Sequence, residues 1–239
     1  MVFWLTALLA LVSPADDRPL KVVMLSGSAE YESDVTLTRL KAEIEKDHPA
    51  QAKVTLLKAE GVDKLPGLEA LDDADVALFF TRRLTIEGEA LERVKRYVAS
   101  GRPIVGVRTA SHGFQRWLEF DKVVLGGNYQ NHFKNGLRVD VRVPIEAKAH
   151  PVVAGFPATF TSLGSLYKNT PLTASDATIL LRGQSPESDE PVAWVRDHDG
   201  RRVFYTSLGA QSDFDEGCFR RLLINALFWA ARKDSHVSR

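Results

Sequence analysis

Cysteine is almost absent from this chain. Cys218 is the only one, so no disulfide can form within it and the fold must stand on its hydrophobic core. An excess of charge of one sign is missing too. Lys plus Arg and Asp plus Glu both number 31, which leaves no net field for nucleic acid or an anionic membrane, and no basic stripe restores one. Beyond the first fifteen residues no apolar run approaches a membrane span. Three motifs of common chemistry are also lacking: spaced dinucleotide-binding glycines, an H-E-x-x-H zinc helix and a G-x-S-x-G nucleophile elbow. Ser111 therefore has no nucleophile context.

What is present begins with Met1 to Ala15, an apolar stretch from Val2 to Val12 followed by small residues and then Asp16-Asp17. This reads as a signal peptide, and it predicts export to a periplasmic or extracellular space. The remaining chain has no internal repeat and no linker, so one domain over residues 20–232 with a frayed tail at 233–239 is expected.

Short apolar runs predict strands at Leu20 to Leu25, Ala52 to Leu57, Asp75 to Phe80 and Ile104 to Val107. Helical periodicity lies between them, over Val35 to Lys46 and on the face Ile86, Ala90, Leu91, Val94, Tyr97 and Val98, with Thr85 as its cap and Gly101 as its stop. Alternating strands and helices predict an α/β fold, a mostly parallel sheet covered on both faces. Further strands are expected at Leu137 to Val143, Ala177 to Leu181, Pro191 to Val195 and Arg202 to Leu208, the last two closed by Asp199-Gly200. Leu166 to Asn169 reads as an exposed polar-aromatic element, and Asp215 to Arg232 as one helix with Phe219, Leu222, Leu223, Ala226 and Ala230 facing the core.

The chain is organised around Gly101 to Phe133. Strand Ile104 to Val107 ends abruptly and delivers Arg108, Thr109, Ser111 and His112 to the crevice where ligands of open α/β sheets sit. Gly126 to Phe133 adds Asn128, Tyr129, Asn131 and a second histidine, His132. The first strand ends in a polar loop that brings Glu30 and Tyr31. Arg108 offers a rigid fork of donors for hydroxyls, a carboxylate or a carbonyl, or else an ion pair with a neighbouring acid. His112 and His132 are open to three roles: base, hydrogen-bond donor or metal ligand. No motif calls for a cofactor; a metal ion held by distant residues, with Glu30 or Asp34, is the one such group these residues leave open. Cys218, at a helix start, is either a lowered-pKa thiol or a small apolar residue.

Several stretches together resemble the ThuA-like family of trehalose-utilisation proteins, whose fold is like that of class I glutamine amidotransferases. They are Gly126-Gly-Asn-Tyr with His132, His150-Pro-Val-Val-Ala-Gly-Phe-Pro-Ala-Thr-Phe160, Leu166-Tyr-Lys-Asn169, Pro191-Val-Ala-Trp-Val-Arg, Arg202-Val-Phe-Tyr-Thr-Ser-Leu-Gly209 and Phe219 to Ala231. The resemblance spans residues 20–232 and implies a flavodoxin-like three-layer sandwich with its site at the strand ends. It also argues against amidotransferase chemistry: those enzymes place a nucleophilic cysteine where this chain has Arg108. Many ThuA-like proteins carry a histidine near that elbow and another after the late Leu-Gly, where this chain has Ala210. The family context implies a sugar or an oxidised (3-keto) glycoside as the small-molecule partner, in carbohydrate catabolism. Arg108 or His112 would polarise its carbonyl, His132 or Glu30 would act as base, and Asn128, Tyr129 and Asn131 would bond its hydroxyls. The rival expectation is a non-catalytic module binding carbohydrate or protein on a decayed enzyme fold.

Overall fold

The computed structural model describes residues 18–198 and 200–233. The stretch read as a signal peptide, Asp199 of the expected hairpin turn and the tail beyond residue 233 lie outside them.

Four strands form the first half of one sheet: β1 (Leu20–Gly27), β2 (Ala52–Lys58), β3 (Val76–Thr81) and β4 (Ile104–Val107), with helices α1 (Ser33–Asp47) and α2 (Gly88–Ala99) in the crossovers. β3 and β4 are buried at every position, as strands covered on both faces must be. Their side chains divide by parity. Val76, Leu78 and Phe80 join the core under α1, with Leu37, Leu40 and Ile44. Ala77 and Phe79 join the opposite core, under Leu91, Val94, Tyr97 and Val98 of α2. Thr85 does not cap α2; Glu87 occupies that position, while the Thr85 hydroxyl donates to the Val62 carbonyl.

The second half corrects the expectation of a mostly parallel sheet. It contains β5 (Val139–Arg142), β6 (Phe160–Ser162), β7 (Thr178–Gln184), β8 (Asp189–His198) and β9 (Arg201–Thr206). The nine strands run in the order β2-β1-β3-β4-β9-β8-β7-β5-β6. Pairing is parallel from β2 through β4 to β9 and antiparallel from β9 to β6, so the sheet is mixed. The physical reason is the connections. Beyond residue 137 the strands are joined by turns and irregular segments, with no crossover helix of the length that parallel neighbours require. β6 has only three residues, too few for a periodic signal.

The last described helices are α3 (Gln211–Asp215), which was not expected, and α4 (Gly217–Ala230), the helix expected over Asp215 to Arg232; Glu216 between them is extended. Phe219, Leu222, Leu223 and Ala226 of α4 complete the core beneath α1. Cys218 is half-buried there, and burial with Glu216 beside it raises its thiol pKa, so an activated cysteine is not present. His150 has a local role, its Nδ1 accepting from the Val152 amide.

Candidate functional site

The carboxyl ends of β1, β3 and β4 open into a crevice roofed by loops from the antiparallel half. Arg108 follows β4 directly, with φ of +45°. Left-handed backbone costs a non-glycine residue about 1–2 kcal/mol, and such strain gathers at functional sites. The Tyr205 hydroxyl holds the turn, donating to the Arg108 carbonyl at 2.6 Å. The guanidinium is 1% exposed. It lies between Tyr31 and Tyr167, 4.5 and 4.8 Å from their ring centroids, and donates to the Ser207 carbonyl at 2.7 Å and the Ser165 hydroxyl at 3.2 Å. No carboxylate is within ion-pair distance among the described residues. Burial works against its charge, but the tyrosine oxygens and the nearby Asp213 more than offset this and raise its pKa. Two of its donor nitrogens are thus engaged by the protein itself. Arg108 is a fixed charge in the floor rather than an open fork, and the expected carbonyl-polarising role does not fit it. Gly164 permits this packing: a Cβ there would lie 2.9 Å from one terminal nitrogen of Arg108 and 3.1 Å from the other.

His112 stands four residues on. Its ring stacks on Tyr129, with centroids 4.4 Å apart, and its Nδ1 is 3.1 Å from the Ser111 hydroxyl. Burial pushes its pKa down to about 3, and the positive charges of Arg83, Arg82 and Arg108 add to the effect. At neutral pH His112 is therefore an uncharged imidazole. His132 approaches on the Gly126–Phe133 loop. Its Nδ1 donates to the Phe133 carbonyl at 2.7 Å, which leaves Nε2 of the neutral ring as an acceptor. This loop is fixed beneath by Asp121, whose carboxylate accepts from the Tyr129 amide at 2.8 Å. Burial raises Asp121 to about 6.

Two connected hollows result. The inner one, about 100 Å³, is lined by Glu30, Tyr31, His112, Tyr129, Asn131 and His132 of the expected set. Arg82, Arg83, Asn135, Ser165 and Tyr167 complete it. The outer cleft, about 350 Å³, shares Glu30, Tyr31, Asn135 and Ser165 and reaches Arg108 and Ala210.

Three expected residues line neither hollow. Thr109 is buried, its hydroxyl on that of Ser28 at 3.0 Å; Ser111 bonds the Arg108 carbonyl and His112; and Asn128 donates to the Pro171 carbonyl. They support the site from behind. Glu30 is engaged with Arg82 at 2.6 Å, which makes it a poor free base. Leu166, Tyr167 and Asn169, expected to be exposed, are buried, because Tyr167 packs against both Arg108 and Tyr129. Arg82 and Arg83 were open to detection: they follow the apolar run Val76–Thr81 as Arg108 follows its own strand. Among the described residues no group of three or more His, Cys, Asp or Glu side chains could hold a metal ion. No described helix is long and apolar enough to cross a membrane.

Comparison with known proteins bears on family and fold. The family model for ThuA, trehalose utilisation, matches residues 21–230. Among solved structures, a ThuA-like protein from Bacteroides uniformis ATCC 8492 superposes with a TM-score of 0.69 at 21% identity, covering 95% of this chain and 97% of the other. One from Parabacteroides merdae ATCC 43184 gives 0.68 at 20% identity, covering 92% of each. The glutaminase domain of Trypanosoma brucei CTPS, with bound acivicin, gives 0.54 at 9% identity over 91% of this chain and 96% of that one, a likeness of fold alone. No functionally curated protein matches. With the family model covering nearly the whole described chain, the protein belongs to the ThuA family, the family of trehalose utilisation.

Proposed function

We propose that this is an exported sugar-handling protein whose inner hollow takes an oxidised (3-keto) sugar or glycoside and moves a proton next to the carbonyl, without amidotransferase chemistry. The observation that carries the reading is His112, a neutral imidazole held flat on Tyr129, lining the same hollow as His132. A neutral imidazole can donate a hydrogen bond to a carbonyl and strengthen it as charge builds on the oxygen. The reading takes the His112 tautomer with its proton on Nε2, in which the one Ser111 hydroxyl hydrogen turns from the Arg108 carbonyl to Nδ1. His132 Nε2 would take the proton from the adjacent carbon; that C–H pair becomes the C=C bond and the carbonyl π pair moves to oxygen, giving an enediolate. Returning the proton from His132 to carbon completes the exchange. Tyr129, Asn131 and Asn135 supply partners for hydroxyls. Export rests on the Met1 to Ala15 pattern.

The test is exchange of the hydrogen next to the carbonyl when the full chain is mixed with a 3-keto-glycoside in heavy water, followed by NMR. Exchange that disappears in the doubly substituted His112→Gln, His132→Gln protein is expected. Undiminished exchange in that protein would overturn the assignment. A second reading, a carbohydrate-binding module, is favoured by Arg108 and Ala210, which stand where catalytic residues are expected. It predicts stabilisation by the keto sugar and its unoxidised parent alike, with no exchange.

A further inference from the structure

Of the two arginines that line the inner hollow, Arg83 is the one with no ion-pair partner among the described residues. Arg82 is paired with Glu30 at 2.6 Å. Arg108 lies between two aromatic faces with Asp213 near enough to act on it. Arg83 is exposed, lines the inner hollow, and among the described residues has no carboxylate within ion-pair distance. Its backbone is also built. Strands β3 and β4 are parallel neighbours, and each runs into an arginine in the left-handed region, Arg83 at +49° and Arg108 at +45°. The strain at Arg83 is held by its amide, which donates to the His112 carbonyl at 2.8 Å, and by the Leu84 amide on the Gly113 carbonyl at 2.8 Å. A residue under backbone strain, tied to the candidate catalytic histidine and carrying an uncompensated charge into a polar hollow, needs a reason beyond folding.

A neutral keto sugar supplies none. It needs hydrogen-bond donors, which Tyr129, Asn131, Asn135 and Ser165 already provide. A guanidinium grips a carboxylate or phosphate with two parallel donors. We propose that Arg83 is an anion-reading residue, and that the molecule bound here bears a fixed negative group, a carboxylate or a phosphate, on a sugar-sized polyol. The sugar part rests on the function proposed above; the anion part rests on Arg83 alone.

The experiment is calorimetric titration of the full chain at low salt with glucuronate, glucose 6-phosphate, glucose, a neutral 3-keto-glycoside, acetate and inorganic phosphate. One acidic sugar should bind about tenfold more tightly than glucose, and whichever does so distinguishes carboxylate from phosphate. Arg83→Gln should bring that sugar to within about twofold of glucose, while Arg83→Lys keeps part of the preference. Because Arg83 is exposed and unpaired, both variants should melt with the parent, and that is checked first. Binding of the neutral keto-glycoside with no acid preference overturns the anion site and leaves the sugar reading standing. Arg83-dependent binding of acetate or inorganic phosphate with no sugar bound retains the anion site and overturns the sugar reading. An acid preference that survives Arg83→Gln, or no binding of any probe, overturns the proposal.

Discussion

His112 and Tyr129 lie face to face, ring centroids 4.4 Å apart and planes 21° from parallel, although they come from different loops. The stack helps to keep His112 out of water and so uncharged. Its folded pKa of about 3 lies below the ordinary histidine value, so the unfolded chain binds this proton more readily. The stabilising contribution is full above about pH 6.5 and is lost as pH falls toward 3. The loss is about 2 kcal/mol by pH 5 and at most about 5 kcal/mol. NMR should show a His112 imidazole that does not titrate between pH 5 and 8. His112→Gln should remove this acid-side loss from the melting curve.

Asp121 has the opposite sign. Its carboxyl is raised to about 6, so the folded state holds the proton more tightly than the unfolded one. Its protonated form stabilises the fold at low pH, and that contribution fades as pH rises from about 4 through 6. At neutral pH the cost is at most about 3 kcal/mol. Between pH 4 and 6 the two residues therefore oppose each other. Asp121→Asn should leave neutral-pH stability equal or higher and make the decline below pH 6 steeper, as thermal melts across that range will read.

Gly127 should tolerate no side chain. A Cβ there would lie 2.3 Å from an oxygen of Asp121, the residue that holds the Tyr129 amide. Gly127→Ala should cost about 1–3 kcal/mol, as overpacking does, and weaken ligand binding by loosening the loop that carries His132. Denaturant unfolding and titration with a 3-keto-glycoside check the two effects separately.

Arg108→Met should fold poorly even though methionine suits a buried place. It would leave the Ser207 carbonyl without its guanidinium donor and two tyrosine faces without their cation. A loss of about 2–4 kcal/mol is expected, from a broken charged hydrogen bond and two cation–π contacts. Arg108→Lys should recover only part, since a point charge cannot reach Ser207 and Ser165 together.

The parallel half was legible in the sequence because its strands are buried on both faces and its helices are amphipathic. Ile104–Val107 keeps its expected bounds, and α1 and α2 are extended or trimmed only at their ends. In the antiparallel half four of the five strands were legible, with one pairing, the β8–β9 hairpin; the other pairings were not, because alternation along one strand says nothing about its neighbour. The site divided in the same way. Residues of the β4 turn and the Gly126–Phe133 loop were readable from strand-end polarity. Whether such a residue faces the hollow or supports it, as with Thr109 and Ser111, depends on rotation about the turn. Asp121 gave no signal, since its importance comes from lying under Tyr129, eight residues away.

Strand β9 is the last of the described strands in chain order, yet it lies inside the sheet, parallel to β4 on one side and antiparallel to β8 on the other. A growing chain can therefore pair β1 to β4 and, separately, β5 to β8, but no strand pairing joins the two sets until residues 201–206 arrive. Until then Arg108 lacks its Ser207 acceptor and its carbonyl lacks the Tyr205 hydroxyl. Loss of residues 201–206 would not trim an end; it would divide the one sheet into two.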